Sequence, residues 1–177
     1  MNKLLKVSFI TLICSIFMAI TAFAGEWSWE DAEGHHNRSI LLEDDRNFDE
    51  DVVHRYGRGD YLAEGSVRIA DLEDGTIEIQ VRTLAYVYVD RIIHSVFLDM
   101  WDEDEEDWVM LYNWDFEKLK EDVENEELSM LITTFTVSGC EVGRYYRLRG
   151  LHGVELYDEL EACATETDGV RLTNLWN

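Results

Sequence analysis

Proline is absent from all 177 residues, cationic residues are scarce, and only one long apolar run exists. Without proline, an LPxTG-type wall-sorting signal is impossible. Fifteen Lys and Arg against 38 Asp and Glu give a formal net charge of −23. That balance argues against nucleic acid or anionic lipid as a partner, because both are held through basic surfaces. It also predicts good solubility, with self-repulsion that salt relieves. Calcium or a basic protein partner would suit such a surface, although composition alone implies neither. Catalytic signatures are missing too: there is no G-x-S-x-G elbow, no glycine-rich phosphate loop, and no H-E-x-x-H or C-x-x-C spacing. Carboxylates are so numerous that any glycosidase-like pair chosen among them is uninformative.

The single apolar run, Val7 to Ile20, follows Lys3 and Lys6 and precedes the A-x-A site Ala22-Phe23-Ala24. This is the pattern of a signal peptide over residues 1–24, cleaved between Ala24 and Gly25. The run is shorter than the roughly 20 residues of a membrane-spanning helix. Cys14 follows bulky Leu12 and Ile13, where a lipobox needs a small residue. The mature protein is therefore expected to be secreted, with no membrane anchor. Removing the leader leaves 13 cationic against 38 anionic residues, a formal charge of −25, and two of the three cysteines. An even number of cysteines in an exported protein permits a disulfide.

The remaining length fits one domain with a full core. The 46% hydrophobic and 12% aromatic content of the full 177 residues is too high for a disordered chain. Residues 25–55 are acidic and weakly periodic, and read as a partly flexible arm that Trp27 and Trp29 pin down. Residues 56–177 read as an all-β domain, because β-branched and aromatic runs recur between turn signals. Ile77, Ile79 and Val81 alternate with Glu78 and Gln80, the mark of a half-buried strand. Leu84 to Val89 is apolar throughout and reads as a central strand, and Ile92 to Trp101 continues similarly. Trp101 and Trp108 bracket Asp102 to Asp107, which predicts a hairpin with an acidic tip. Phe116, Leu119 and Val123 have the spacing of a short surface helix. The expected architecture is a single antiparallel β-sandwich of about eight strands, Ig-like or jelly-roll-like.

Gly150-Leu151-His152-Gly153 suggests a two-residue hairpin loop at Leu151-His152. That register sets Arg144 opposite Glu159 and Tyr146 opposite Tyr157. It also brings Cys140 opposite Cys163, at about 4.5–5.5 Å between Cα atoms if no bulge intervenes. Two readings stay open: a disulfide, stabilising by roughly 3 kcal/mol, or two small buried thiols. The only basic concentration is Arg144-Tyr145-Tyr146-Arg147-Leu148-Arg149. Tyr145, Arg147 and Arg149 share one strand face and, with His152, form the candidate binding patch for a carboxylate or sulfate. Ordinary cross-strand pairing with acidic neighbours is the simpler explanation. Asp102, Asp104 and Asp107 are the carboxylates a calcium ion would use, but EF-hand spacing is lacking and the run reads as a solvated tip. No cofactor is expected. His35-His36 is an unconvincing metal pair, and Arg58-Gly59-Asp60 matches an integrin-read tripeptide of a length that arises often by chance.

Arg58-Gly59-Asp60-Tyr61-Leu62, Gly75-Thr-Ile-Glu-Ile79, Gly143-Arg-Tyr-Tyr-Arg-Leu-Arg-Gly-Leu-His152 and Gly169-Val-Arg-Leu172 carry a further signal. Together they resemble a family of small exported proteins of Gram-positive, largely clostridial bacteria, known only as a domain of unknown function. The resemblance spans roughly residues 47–173 and implies export and one β-rich domain, but no activity. The functional expectation is a secreted, non-catalytic binding module for a protein, glycan or cell-surface component. The alternatives are a secreted hydrolase with an unrecognised carboxylate site and a self-associating surface protein.

Overall fold

Nine strands form in the computed structural model, which describes residues 39–55 and 61–175. They are β1 (Phe48–His54), β2 (Leu62–Asp71), β3 (Thr76–Ala85), β4 (Arg91–Asp102), β5 (Asp107–Leu119), β6 (Met130–Ser138), β7 (Tyr145–Leu156), β8 (Glu159–Glu166) and β9 (Val170–Arg171). One antiparallel sheet has the order β1-β2-β3-β6, and the other β5-β4-β7-β8, with β9 pairing the start of β7. The result is the expected all-β sandwich. Among the described residues no helix is long and apolar enough to cross a membrane.

Alternation explains the packing. Ile77, Ile79 and Val81 of β3 face inward, against Val96 and Leu98 of β4 and Tyr146 and Leu148 of β7. Each such side chain contributes about 1.5–3 kcal/mol of burial. A second cluster, with Leu62, Ile92, Leu128, Val154 and Cys163, fills the other part of the interior. The Trp-bracketed hairpin forms as expected: Trp101 opposes Trp108 edge to face at 5.3 Å, and Asp102 opposes Asp107.

Several local expectations are corrected. The stretch around Phe116 and Leu119 is not helical; β5 runs through Leu119, and only two single 3₁₀ turns follow, at Lys120–Asp122 and Glu124–Glu126. Phe116 packs edge-on against His94 and near Phe135, so a cross-strand aromatic contact overrides the helical spacing. The apolar run 84–89 is no central strand either. β3 ends at Ala85, and Tyr86, Val87 and Tyr88 are exposed in the connection that crosses between sheets. Of the stretch 25–55 expected as an arm, Phe48–His54 is instead strand β1 of the sandwich. β1 pairs with β2 along its whole length, and Leu42 and Gly169 are bonded through their backbones. The leader with Ala24 and Gly25, Trp27, Trp29, His35-His36 and Arg58-Gly59-Asp60 lie outside the described residues.

The largest correction concerns the hairpin. β7 passes straight through Leu151-His152, and the turn falls at Tyr157-Asp158, both in the left-handed region (φ 53° and 64°). Arg149 therefore opposes Glu166, and Cys163 opposes His152 rather than Cys140. Arg144 and Tyr146 do not meet Glu159 and Tyr157. Gly150 is needed for a close approach, not a turn. A Cβ there would sit 2.4 Å from Val67 Cγ1 and 2.6 Å from Thr165 Oγ1. Gly65 is equally crowded, with the His152 ring at 2.6 Å and Cys163 Sγ at 2.7 Å.

Replacing either glycine by alanine is expected to overpack the interior and cost about 1–3 kcal/mol. Urea denaturation checks this: the midpoint should fall for Gly65→Ala and Gly150→Ala with an unchanged slope. A surface control such as Thr136→Ala should match the parent.

Candidate functional site

Tyr145, Arg147 and Arg149 do share the outer face of β7, as alternation requires, but they are not a vacant patch. Asp99, which opposes Arg147 on β4, takes Arg147 Nε at 3.0 Å and Arg149 Nε and Nη2 at 2.7 and 2.9 Å. Glu166 of β8 pairs with Arg147 Nη1 at 3.1 Å. The guanidinium of Arg147 lies 4.7 Å from the Trp108 ring centre, and that of Arg149 lies 5.0 Å from Phe97. Ser39 closes the top, accepting from Arg147 and donating to Glu166 Oε1 at 2.6 Å. Tyr145 donates to Asp44, which also binds Arg171. The segment from Ser39 to Asp44 thus straps over the face that the sequence singled out. Ordinary pairing accounts for these residues, with Asp99, Glu166 and Asp44 as the acidic partners.

His152 points into the sandwich with no exposed surface. It faces His94 of β4 at 6.5 Å between ring centres. Thr83 Oγ1 lies between them, 3.0 Å from His152 Nδ1 and 3.3 Å from His94 Nδ1. Outward of each ring, His152 Nε2 meets Thr165 Oγ1 at 2.8 Å and His94 Nε2 meets Thr133 Oγ1 at 2.9 Å. A hydroxyl carries one proton, so Thr83 donates to one imidazole and accepts from the other. The two histidines are therefore neutral in opposite tautomers, and the five side chains form one directional relay. Burial pushes His94 down to about 4. Burial, and then the neighbouring His94, push His152 down to about 3.

Cys163 sits beside this relay, buried and free, its thiol pushed up to about 12 by burial. Cys140 is free as well and packs with the other hydrophobic cluster. The disulfide reading therefore fails in this structure because the true register places the two cysteines in different parts of the core. Asp102, Asp104 and Asp107 lie at the β4–β5 tip. Asp102 Oδ1 accepts the Asp104 and Glu105 backbone N–H, and Asp107 accepts that of Trp108. Among the described residues no group of three or more His, Cys, Asp or Glu is arranged to hold a metal.

The surface that sequence reasoning missed lies at the end of the sandwich carrying the β3–β4 connection and the β7–β8 turn. Tyr86 is 53% exposed, Tyr88 58% and Tyr157 79%. The two loops are tied by Asp90, whose carboxylate accepts the Tyr157 N–H at 2.9 Å while its own N–H reaches Glu155 O. Lys120 Nζ holds the same carboxylate at 2.7 Å and lowers its pKa, with help from the Tyr157 N–H. Tyr61 links in through Tyr86 N–H and Glu159. The readable signal was the Tyr86-Val-Tyr-Val89 run, too apolar for a loop and lacking the alternation of its neighbours. No protein-family model matches the chain, and no curated protein or solved structure matches it.

Two outcomes follow. The histidine relay favours the neutral form in the fold, whereas the unfolded chain takes up protons as pH falls through about 6.5. Stability should thus be full above that pH and drop by about 2 kcal/mol per histidine by pH 5, continuing down to the folded values. Denaturation at pH 7, 6 and 5 reads the slope, and His94→Gln should flatten it. Separately, Asp99→Ala leaves two guanidiniums short of a carboxylate and should cost about 3–5 kcal/mol, measurable in urea at pH 7.

Proposed function

We propose that the chain is an exported, non-catalytic recognition module that engages a protein or glycan through the Tyr86, Tyr88 and Tyr157 end of the sandwich. One observation carries this reading: Tyr157 occupies a left-handed turn position at φ 53° while 79% exposed. A bulky residue there costs of order 1–2 kcal/mol, where Asn or Gly would be tolerated. Among the described residues its ring has no hydrogen-bond or aromatic partner, and only its backbone N–H serves Asp90, beside Lys120 Nζ. Local strain without a packing reason points to a role for the side chain. Tyrosines presented on short, anchored turns offer large amphipathic contact area with little rotamer entropy to lose.

The hydrolase alternative has less support. The buried carboxylates serve as structural acceptors: Asp71 for Glu73 N–H and for Thr173 N–H and hydroxyl, Asp99 for the arginines, and Glu166 through Oε1 for Arg147 and Ser39, its Oε2 being buried without a hydrogen-bond partner. Export rests on the leader pattern, and the acidic balance makes nucleic acid an unsuitable partner.

The test compares the parent with Tyr86→Ser/Tyr88→Ser/Tyr157→Asn on an oligosaccharide array and on an immobilised cell-envelope fraction. The variant should melt at the same temperature or slightly higher, because Asn relieves the turn. Its binding should fall at least about tenfold, as expected when exposed aromatic anchors are removed. Equal binding by both proteins, or release of shortened oligosaccharides by the parent, would overturn the proposal.

A further inference from the structure

A different surface carries an independent inference. Strand β5 is the outer strand of its sheet, pairs only with β4, and runs for 13 residues. Typical strands are about half as long. Val109, Met110, Leu111 and Tyr112 are exposed in succession, at 44, 53, 37 and 50%. A bulge opposite Leu98 and Asp99 leaves Leu111 without a cross-strand partner, so alternation breaks and both faces show apolar groups.

The opposite edge of the same sheet is treated otherwise. Asp51 and Asp49 accept the N–H groups of Glu166 and Asp168, and Arg55 donates to Ala162 O, so side chains of β1 and of the residue after it close the free side of β8 and the chain that follows it. Along β5, carboxylates cap only the N–H groups near its two ends, Trp108 by Asp107 and Leu119 by Asp122, and among the described residues no such contact is made between Val109 and Lys118. An apolar outer strand left open is a template for strand addition.

Charge selects the occupant. The tip beside the apolar block carries exposed Glu103, Asp104, Glu105 and Glu106, and β5 itself carries exposed Asp107, Asp115 and Glu117. Glu103 is paired with Arg144 and Glu117 with Arg91. Asp104, Glu105 and Glu106 have no cationic partner among the described residues. A second copy fits poorly. Laying the apolar block antiparallel on itself brings Glu106 towards Asp115 and Asp104 towards Glu117, like charge on like. We propose that β5 is a docking edge for an extended cationic segment of another protein, which adds as a strand with apolar side chains over Val109–Tyr112 and basic ones towards the acidic tip.

The probe is a blocked peptide of about twelve residues alternating Lys and Val, long enough to cover the edge. Its controls are the Glu–Val counterpart and a Lys–Val peptide interrupted by prolines, which keeps the charge but cannot form a ladder. Hydrogen exchange should slow about tenfold or more within 107–119 when only the first peptide is bound, and its affinity should fall about tenfold between roughly 0.05 and 0.3 M salt. Met110→Lys/Tyr112→Lys should abolish that protection while the melting temperature stays close to the parent, since both side chains are exposed. The inference is overturned if protection is absent or falls on another edge. It is equally overturned if the proline peptide binds as well, or if β5 becomes protected with rising protein concentration alone. The tyrosine variant of the other surface should behave like the parent here, which separates the two proposals.

Discussion

Two buried carboxylates, the buried Arg147 and the half-buried Arg149 on the outer face of one sheet set the terms for the rest of the molecule. Asp99 and Glu166 have side chains 2 and 1% exposed, and Arg147 is only 10% exposed. Charges taken so far out of water must be matched and hydrogen-bonded, or the desolvation penalty exceeds their attraction. Matching is complete in number, two against two, but a bare sheet face cannot keep water out. Trp108 and Phe97 cover the guanidiniums, and Ser39 caps both Arg147 and Glu166. The chain before β1 is therefore drawn over the sheet, where it pairs with Gly169 and places Asp44 beside Tyr145 and Arg171. A strap that looks dispensable in composition is the lid of a buried ion cluster.

This explains why two sequence expectations failed together. Residues 39–54 look like an acidic arm because their charges are spaced for contacts made elsewhere: Asp49 and Asp51 end on the backbone of the β8 end. The arginine strand looks like a binding patch because the side chains that saturate it are distant in sequence. Pattern reading sees neighbours along the chain and has no view of residues some 50 to 130 positions away. Where the determinants are local, it succeeds. The alternation of Ile77–Val81 and the Trp-bracketed acidic tip specify a strand and a hairpin directly, and the sandwich follows.

Glycine is the instructive middle case. Gly150 and Gly153 flanking two residues have the look of a turn, yet the real turn uses Tyr157 and Asp158, with a bulky tyrosine at a positive-φ position where Asn or Gly is usual. Gly150 is present because the His152 relay and Val67 occupy the volume a side chain would need. The relay in turn exists only across the sandwich, from β3, β4, β6, β7 and β8 at once. Five threonine and histidine positions scattered from Thr83 to Thr165 carry no periodic signal, so neither the network nor the glycines it demands was legible. The register error then propagated to the cysteines, whose supposed opposition depended wholly on the turn position.

The same economy of cations shapes what the surface presents. Most described cations, from Arg46 to Arg171, are already paired with carboxylates of this chain. With so few basic residues, nearly all serve internal or cross-strand pairing, and the outward field is left to unpaired acids at the β4–β5 tip and the turns. A surface of this kind repels copies of itself and anionic polymers while attracting cationic segments at a distance, with contact specificity left to apolar and aromatic groups. Two of the places where such groups stay open are also where the fold departs from its own rules. One is a tyrosine in a left-handed turn, and the other is a long outer strand whose bulge exposes both faces. Departures from local consistency that bring no gain in packing are where recognition is to be sought.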